Sequence, residues 1–125
     1  MILDTNALSA FLQGIPEVRE AAFGAARLCL PLIVVGEYRF GIEGSAYPAE
    51  NERRFAEVLR DLEILALTMD TTIVYGRIAH TLKIQGRPIP HNDIWVAALA
   101  RQHDMPILSR DVHFDAVAGV RRVSW

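Results

Sequence analysis

Cysteine occurs once in this 125-residue chain, at Cys29, so no intrachain disulfide and no thiolate metal cluster can form within it. Lysine is as scarce: Lys83 is the single one, and the other twelve basic residues are arginines. No apolar run approaches the roughly 20 residues of a membrane span. The first residues lack the basic segment, apolar core and cleavage site of a signal peptide. A soluble, cytoplasmic protein is the expectation. There is no Gly-rich phosphate loop and no G-x-S-x-G elbow, which excludes those two phosphate- and acyl-handling designs. Repeats, low-complexity tracts and linkers are absent too, so one domain over residues 1–125 is expected. The net charge of −2 argues against a general nucleic-acid binder, which is usually basic. Arginine's planar fork nevertheless suits phosphate better than lysine's point charge.

What is present is ample apolar material, 51% of residues, in short strand-like runs alternating with helical patterns. That alternation predicts a parallel sheet wrapped by helices. Ile2-Leu3-Asp4 reads as a short first strand, followed by a helix with Leu8, Phe11 and Leu12 inward. A helix over Pro16 to Phe23 precedes a strand over Arg27 to Pro31, which leads into a helix carrying Glu37. Phe55, Val58, Leu59 and Leu62 keep helical spacing, and Leu65-Ala66-Leu67 reads as a third strand. Asp70 is expected to cap a helix whose inner face is Val74, Ile78 and Leu82. A loop over Gly86 to Pro90, a helix over Asn92 to Gln102, a strand over Pro106 to Ser109 and a last strand near Val120 to Val123 complete the reading.

Four acids break apolar context in this pattern. Asp4 closes Ile2-Leu3, Glu37 follows Leu32 to Gly36, Asp93 opens the apolar segment Ile94 to Ala100, and Asp111 follows the run Pro106 to Ser109. A carboxylate among buried apolar groups is expensive unless paired, hydrogen-bonded or bound to metal. In an open parallel sheet, ligands sit outside the carboxyl ends of strands at a switch point, which suits Asp4 and Asp111. Asp93 at a helix mouth is favoured by the dipole, and Glu37 shares an inward stripe with Ile33 and Val34. Hard oxygen donors of this kind fit Mg²⁺ or Mn²⁺ rather than zinc. Each acid also has a plainer reading. Asp4 or Asp93 would serve as a helix cap, Asp111 as a turn former and Glu37 as a partner of Arg39. Joint placement carries the inference.

Ile2-Leu3-Asp4-Thr5-Asn6 resembles the opening motif of PIN domains. His91-Asn92-Asp93-Ile94-Trp95-Val96-Ala97-Ala98 resembles their helix-borne third acid, and Leu108-Ser109-Arg110-Asp111-Val112-His113-Phe114 their closing motif. Glu37 sits where that family carries an inward glutamate. The resemblance runs over essentially the whole chain and is nearest to the VapC-type toxins of VapBC toxin–antitoxin pairs. It implies an α/β fold, a single PIN-like domain with a short parallel sheet flanked by helices (α/β/α). It also implies an endoribonuclease dependent on Mg²⁺ or Mn²⁺. By match to the motifs, Asp4, Glu37, Asp93 and Asp111 would ligate metal and position the attacking water, with Asn6 and Ser109 supporting them. A homodimer and a cognate VapB-type antitoxin are further implications, and with three residues before Asp4 the first strand is expected to be short.

Other residues are assigned lesser roles. His80, His91, His103 and His113 lack tight metal spacing and read as surface or cap residues, with His113-Phe114 a packing element. Trp95 either stacks a base or is buried in the core or a dimer contact. Arg110, and less directly Arg87, are the candidate RNA-binding cations. Leu8, Phe11, Tyr38, Phe40 and Phe55 exceed what a small sheet needs to cover and suggest a partner surface. Two rival functions are a PIN-fold binding module without activity and a metal-dependent phosphatase or receiver. The second needs a lysine near the site and an Asp-x-Asp pair, where this chain has Asn6.

Overall fold

Ile2 and Leu3 are consecutive in a strand, so their side chains point to opposite faces of the sheet, and both are fully buried. The same holds for Ile107 and Leu108 in the neighbouring strand. A sheet buried on both faces must be covered by helices on both. The computed structural model, which describes residues 1–125, has this α/β/α build.

The elements in chain order are β1 (Ile2–Leu3), α1 (Thr5–Leu12), α2 (Pro16–Phe23), β2 (Cys29–Pro31), α3 (Leu32–Glu43) and α4 (Pro48–Leu59). They continue with β3 (Glu63–Leu65), α5 (Met69–Ile84), α6 (His91–His103), β4 (Ile107–Leu108), a 3₁₀ turn (Val112–Ala116) and β5 (Arg122–Val123). All strand pairs are parallel, in the order β3-β2-β1-β4-β5. The chain builds outward from β1 to β3, then returns across β1 to lay down β4 on its other side. The switch point therefore lies between β1 and β4, whose residues pair Ile2 with Ile107 and Leu3 with Leu108. Two-residue strands suffice here because the core is continuous around them, from Leu8 and Val34 to Leu99 and Phe114.

Helix α6 is the most deeply sunk element: Ile94 and Val96 through Ala100 are all buried. It packs against α5, α3 and the turn that follows β4, so the helix mouth that carries Asp93 is fixed by packing. No helix is long and apolar enough to cross a membrane.

Three elements differ from the sequence reading. The third strand is Glu63–Leu65 rather than Leu65–Leu67, because β2 pairs with it residue for residue and Arg27 forks onto the Glu63 carboxylate at its start. As an edge strand it buries only Leu65, which leaves the apolar pattern too weak to fix its position. Asp70 is exposed in the first turn of α5; the cap is Thr68. Thr68 Oγ1 accepts the Thr71 N–H at 3.4 Å and Thr71 Oγ1 accepts the Thr68 N–H at 2.9 Å, a reciprocal pair that outcompetes a lone carboxylate. The third difference is the 3₁₀ turn, which follows Asp111 where the sequence pattern assigned no element.

Candidate active site

Asp4 is the residue on which the strands and helices converge. Its backbone is extended (φ −81°, ψ 179°), which ends β1 and makes it the N-cap of α1. Oδ1 accepts the Ala7 N–H at 2.6 Å, and Oδ2 accepts the Ser109 hydroxyl hydrogen. The Ser109 Oγ in turn accepts the Asp111 N–H at 2.8 Å, so one buried hydroxyl ties the end of β1 to the end of β4. The capping role and the site role anticipated for Asp4 thus coexist in one carboxylate.

Glu37 is held from two other helices. Thr5 Oγ1 donates to its Oε2 at 2.5 Å and Asn92 Nδ2 donates to its Oε1 at 2.7 Å. Arg39, the alternative partner, instead forks onto Glu52 on the outside of α4. Asp93 and Asp111 complete the group. Asp111 caps the 3₁₀ turn by accepting the His113 N–H at 2.9 Å. His113 Nδ1 stands 3.1 Å from Asp111 Oδ1 and 3.2 Å from Asp93 Oδ2.

One cleft is lined by all four acids together with Thr5, Asn6, His91 and Asn92. No lysine or arginine lines it. Burial is the main reason that the Asp4 carboxyl titrates above its ordinary range. The hydrogen bonds from Ser109 and Ala7 pull it back, and the charges of Asp93 and Asp111 push it up again. Asp93 is raised first by burial, then by Asp111 and Glu37, against the opposing effect of His113. With Asp4 and Asp93 both pushed up by neighbouring carboxylates, in a cleft lined by no lysine or arginine, the site is short of positive charge. One oxygen from Asp93, one from Asp111 and a nitrogen from His113 lie within 4.8 Å of one another, so a single divalent cation fits the donor set.

The raised carboxyls fix a sign. A carboxyl with a folded pKa above its unfolded value stabilises the fold in its protonated form, fully so below the unfolded pKa. It loses that contribution as pH rises through the folded value. For Asp4 and Asp93 the window opens near the ordinary 3.8 and extends above it. Without metal, thermal stability is therefore expected to fall as pH rises through that window. Asp93→Asn is expected to raise the metal-free Tm at pH 7 by a few degrees and to flatten that fall. Calorimetry in EDTA checks both, and a lower Tm for the variant contradicts the charge argument.

Other anticipated residues lie elsewhere or play different parts. Asn6 lines the cleft but is exposed, while the hydrogen bonds to Glu37 come from Thr5 and Asn92, which the sequence reading did not single out. Their signal was adjacency: each stands next to a site acid. Phe114 is fully buried as a packing residue, but His113 is not; its ring faces the acids rather than the core. The Asp111-x-His113 spacing was the overlooked sign. The Arg110 guanidinium sits 4.9 Å above the Trp125 ring and lines no part of the cleft, and Arg87 is exposed away from it. Trp95 stacks on Tyr75 with ring centroids 3.9 Å apart, so one face of the indole is already covered. Lys83 lies in the last turn of α5 and not at the cleft, which leaves the phosphatase or receiver reading without its lysine. Leu8 is buried in the core and leaves the expected partner surface, Phe55 is buried but lines a groove beside the cleft, and Phe40 stays 85% exposed.

Comparison with known proteins agrees with this arrangement. The PIN domain family matches residues 1–120. The chain belongs to the PIN-domain family. Ribonuclease VapC2 of Haemophilus influenzae is 31% identical to this PIN domain over 127 residues, 99% of the chain and 96% of the relative. Ribonuclease VapC5 of Mycobacterium tuberculosis is 27% identical over 124 residues, 98% and 90% of the two chains. The solved structure of VapBC-1 from nontypeable Haemophilus influenzae matches with a TM-score of 0.90 at 26% identity, covering 99% of this PIN domain and 96% of that chain.

Proposed function

We propose that this PIN domain is a divalent-metal-dependent endoribonuclease and the toxin of a pair with a VapB-type antitoxin. The observation that carries the reading is the cleft itself, where four carboxylates meet at the switch point with no lysine or arginine among its lining residues. Its VapC relatives are named ribonucleases, and the VapBC structures are complexes of the same fold.

Asp93 and Asp111 would hold a Mg²⁺ or Mn²⁺ ion, with Asp4 closing the site from beneath. When bound, such an ion offsets charge on the phosphodiester and makes water a better nucleophile. The remaining work falls to the chain. Glu37 lines the cleft and is held at both oxygens by Thr5 and Asn92, and each oxygen keeps a lone pair with which it can accept a proton from the attacking water. The hydrogen bonds from Ser109 and the Ala7 N–H favour the charged form of Asp4 against its burial. Tyr75 OH lies 2.9 Å from His91 Nδ1 and sets the His91 ring at the cleft mouth, where it can meet a phosphate or base edge.

A cleft without arginine or lysine cannot grip a duplex by its phosphates. Single-stranded or loop RNA, whose unstacked bases can be splayed into a cleft, is the matching substrate. A homodimer completes the proposal, with Phe40 and Leu32 of α3 among the exposed apolar groups available to it. Incubating the purified protein with total RNA after EDTA treatment, then restoring Mg²⁺ or Mn²⁺ separately, tests the activity. Cleavage that returns with metal and maps to loops supports it. Cleavage that survives EDTA, or cuts spread through duplex regions, overturns it.

A further inference from the structure

The position of His113 is not explained by packing. Its side chain is 46% exposed, whereas the next residue, Phe114, fills the core completely. A histidine free to turn to water instead points Nδ1 between two carboxylate oxygens, at 3.1 Å and 3.2 Å. Two ligands of one ion, each about 2.1–2.2 Å from it and at right angles, stand about 3.0–3.1 Å apart. The two nitrogen–oxygen separations match neighbouring positions around a single cation, and without an ion they let the ring hydrogen-bond to the same carboxylates.

We propose that His113 Nδ1 is a direct ligand of the divalent ion, alongside Asp93 Oδ2 and Asp111 Oδ1, and that this nitrogen turns the site's preference from Mg²⁺ towards Mn²⁺. The proposal rests on the metal-dependent reading of the cleft. The local build supports it. Asp111 accepts the backbone N–H of His113, so the two donors are fixed to each other by a turn rather than by flexible side chains. Arg122 fastens that turn to β5 through Asp115, at 2.8 Å and 2.7 Å, and reaches the Ser109 carbonyl at 3.2 Å. The ring is therefore delivered by a braced element, as a ligand requires. Imidazole binds through either ring nitrogen, and Nε2 is left free towards solvent. Mg²⁺ favours oxygen and water and gives up its hydration reluctantly, while first-row transition ions accept nitrogen readily.

The test uses the purified full chain with Mn²⁺ alone. Pulsed electron paramagnetic resonance is expected to show nitrogen coupling to the bound Mn²⁺ in the wild type and in His91→Ala. It is expected to show none in His113→Ala or His113→Gln. In the His113 variants the Mn²⁺ dissociation constant is expected to rise by about tenfold, and that of Mg²⁺ by less than about threefold. Circular dichroism confirms that the variants fold, as an exposed ring allows. Mn²⁺ bound without nitrogen coupling in the wild type overturns the role of His113 and leaves the acidic metal site standing. Coupling that persists in both His113 variants also overturns it. A wild type that binds Mg²⁺ but not Mn²⁺ overturns the role of His113 alone, and one that binds neither ion removes the metal-dependent reading together with it.

Discussion

An Asp4→Asn variant is expected to lose RNA cleavage by about two to three orders of magnitude or more, while folding normally. Both halves of that statement follow from the hydrogen bonds. An amide keeps one oxygen to accept the Ala7 N–H, and its NH₂ group can donate to the Ser109 Oγ, so the cap and the β1–β4 tie survive. What disappears is the negative charge at the point where three other acids converge. The metal-free variant is expected to melt at or above the wild-type temperature, because a carboxylate raised by burial and by its neighbours has been neutralised. Added Mn²⁺ should then stabilise the wild type far more than the variant. Gel-based cleavage and thermal scans with and without Mn²⁺ measure these effects, and undiminished cleavage by Asp4→Asn removes Asp4 from the site.

The second large effect concerns the partner. A groove beside the cleft is lined by Leu12, Tyr38, Ile42, Phe55 and Val58 among polar residues, and it shares Thr5 and Glu37 with the cleft. An amphipathic segment of an antitoxin fits such a groove by seating apolar anchors at helical spacing. Gly41 lies on its floor, exposed, and a Cβ added there meets nothing within 4 Å. Gly41→Arg is thus expected to fold, and to gain up to about 1 kcal/mol of helix stability. Its side chain would occupy the groove and weaken antitoxin binding at least about 100-fold, equivalent to about 2.7 kcal/mol. RNA cleavage is expected to stay near the wild-type rate, now resistant to inhibition by the antitoxin. Titration calorimetry with the cognate antitoxin decides the matter. Affinity within threefold of the wild type would place the partner elsewhere.

The alternation of strands and helices was legible because it depends on period and length, which a sequence displays directly. The four acids were legible for a related reason: Asp4 and Asp111 follow the strands that flank the switch point, and a charge beside an apolar run is conspicuous. The supporting contacts were hidden because they run between distant segments. Thr5 and Asn92 meet at Glu37 across separations of 32 and 55 residues. Thr68 displaced Asp70 as a cap through a reciprocal hydroxyl pair, a matter of rotamers that composition does not reveal. His113 is at the surface as expected, but its place beside the acids was hidden because histidine spacing was weighed only against other histidines, when its partners are carboxylates.

The two-residue strands at the centre of the sheet have a dynamic consequence. Asp4 follows Leu3, and Ser109 follows Leu108, with no residue between strand and site to act as a hinge. The Ile2 N–H is bonded to the Pro106 carbonyl at 2.8 Å and the Asp4 N–H to the Leu108 carbonyl at 3.4 Å, both across the β1–β4 seam. Spreading Asp4 away from Ser109 would first have to break these pairings, which lie in the part of the molecule that opens last. The floor of the site, Asp4 tied to Ser109, consequently has no hinge of its own by which to loosen. The Asp4–Ser109 tie therefore holds for as long as the central strands stay paired, and it comes apart only when they do.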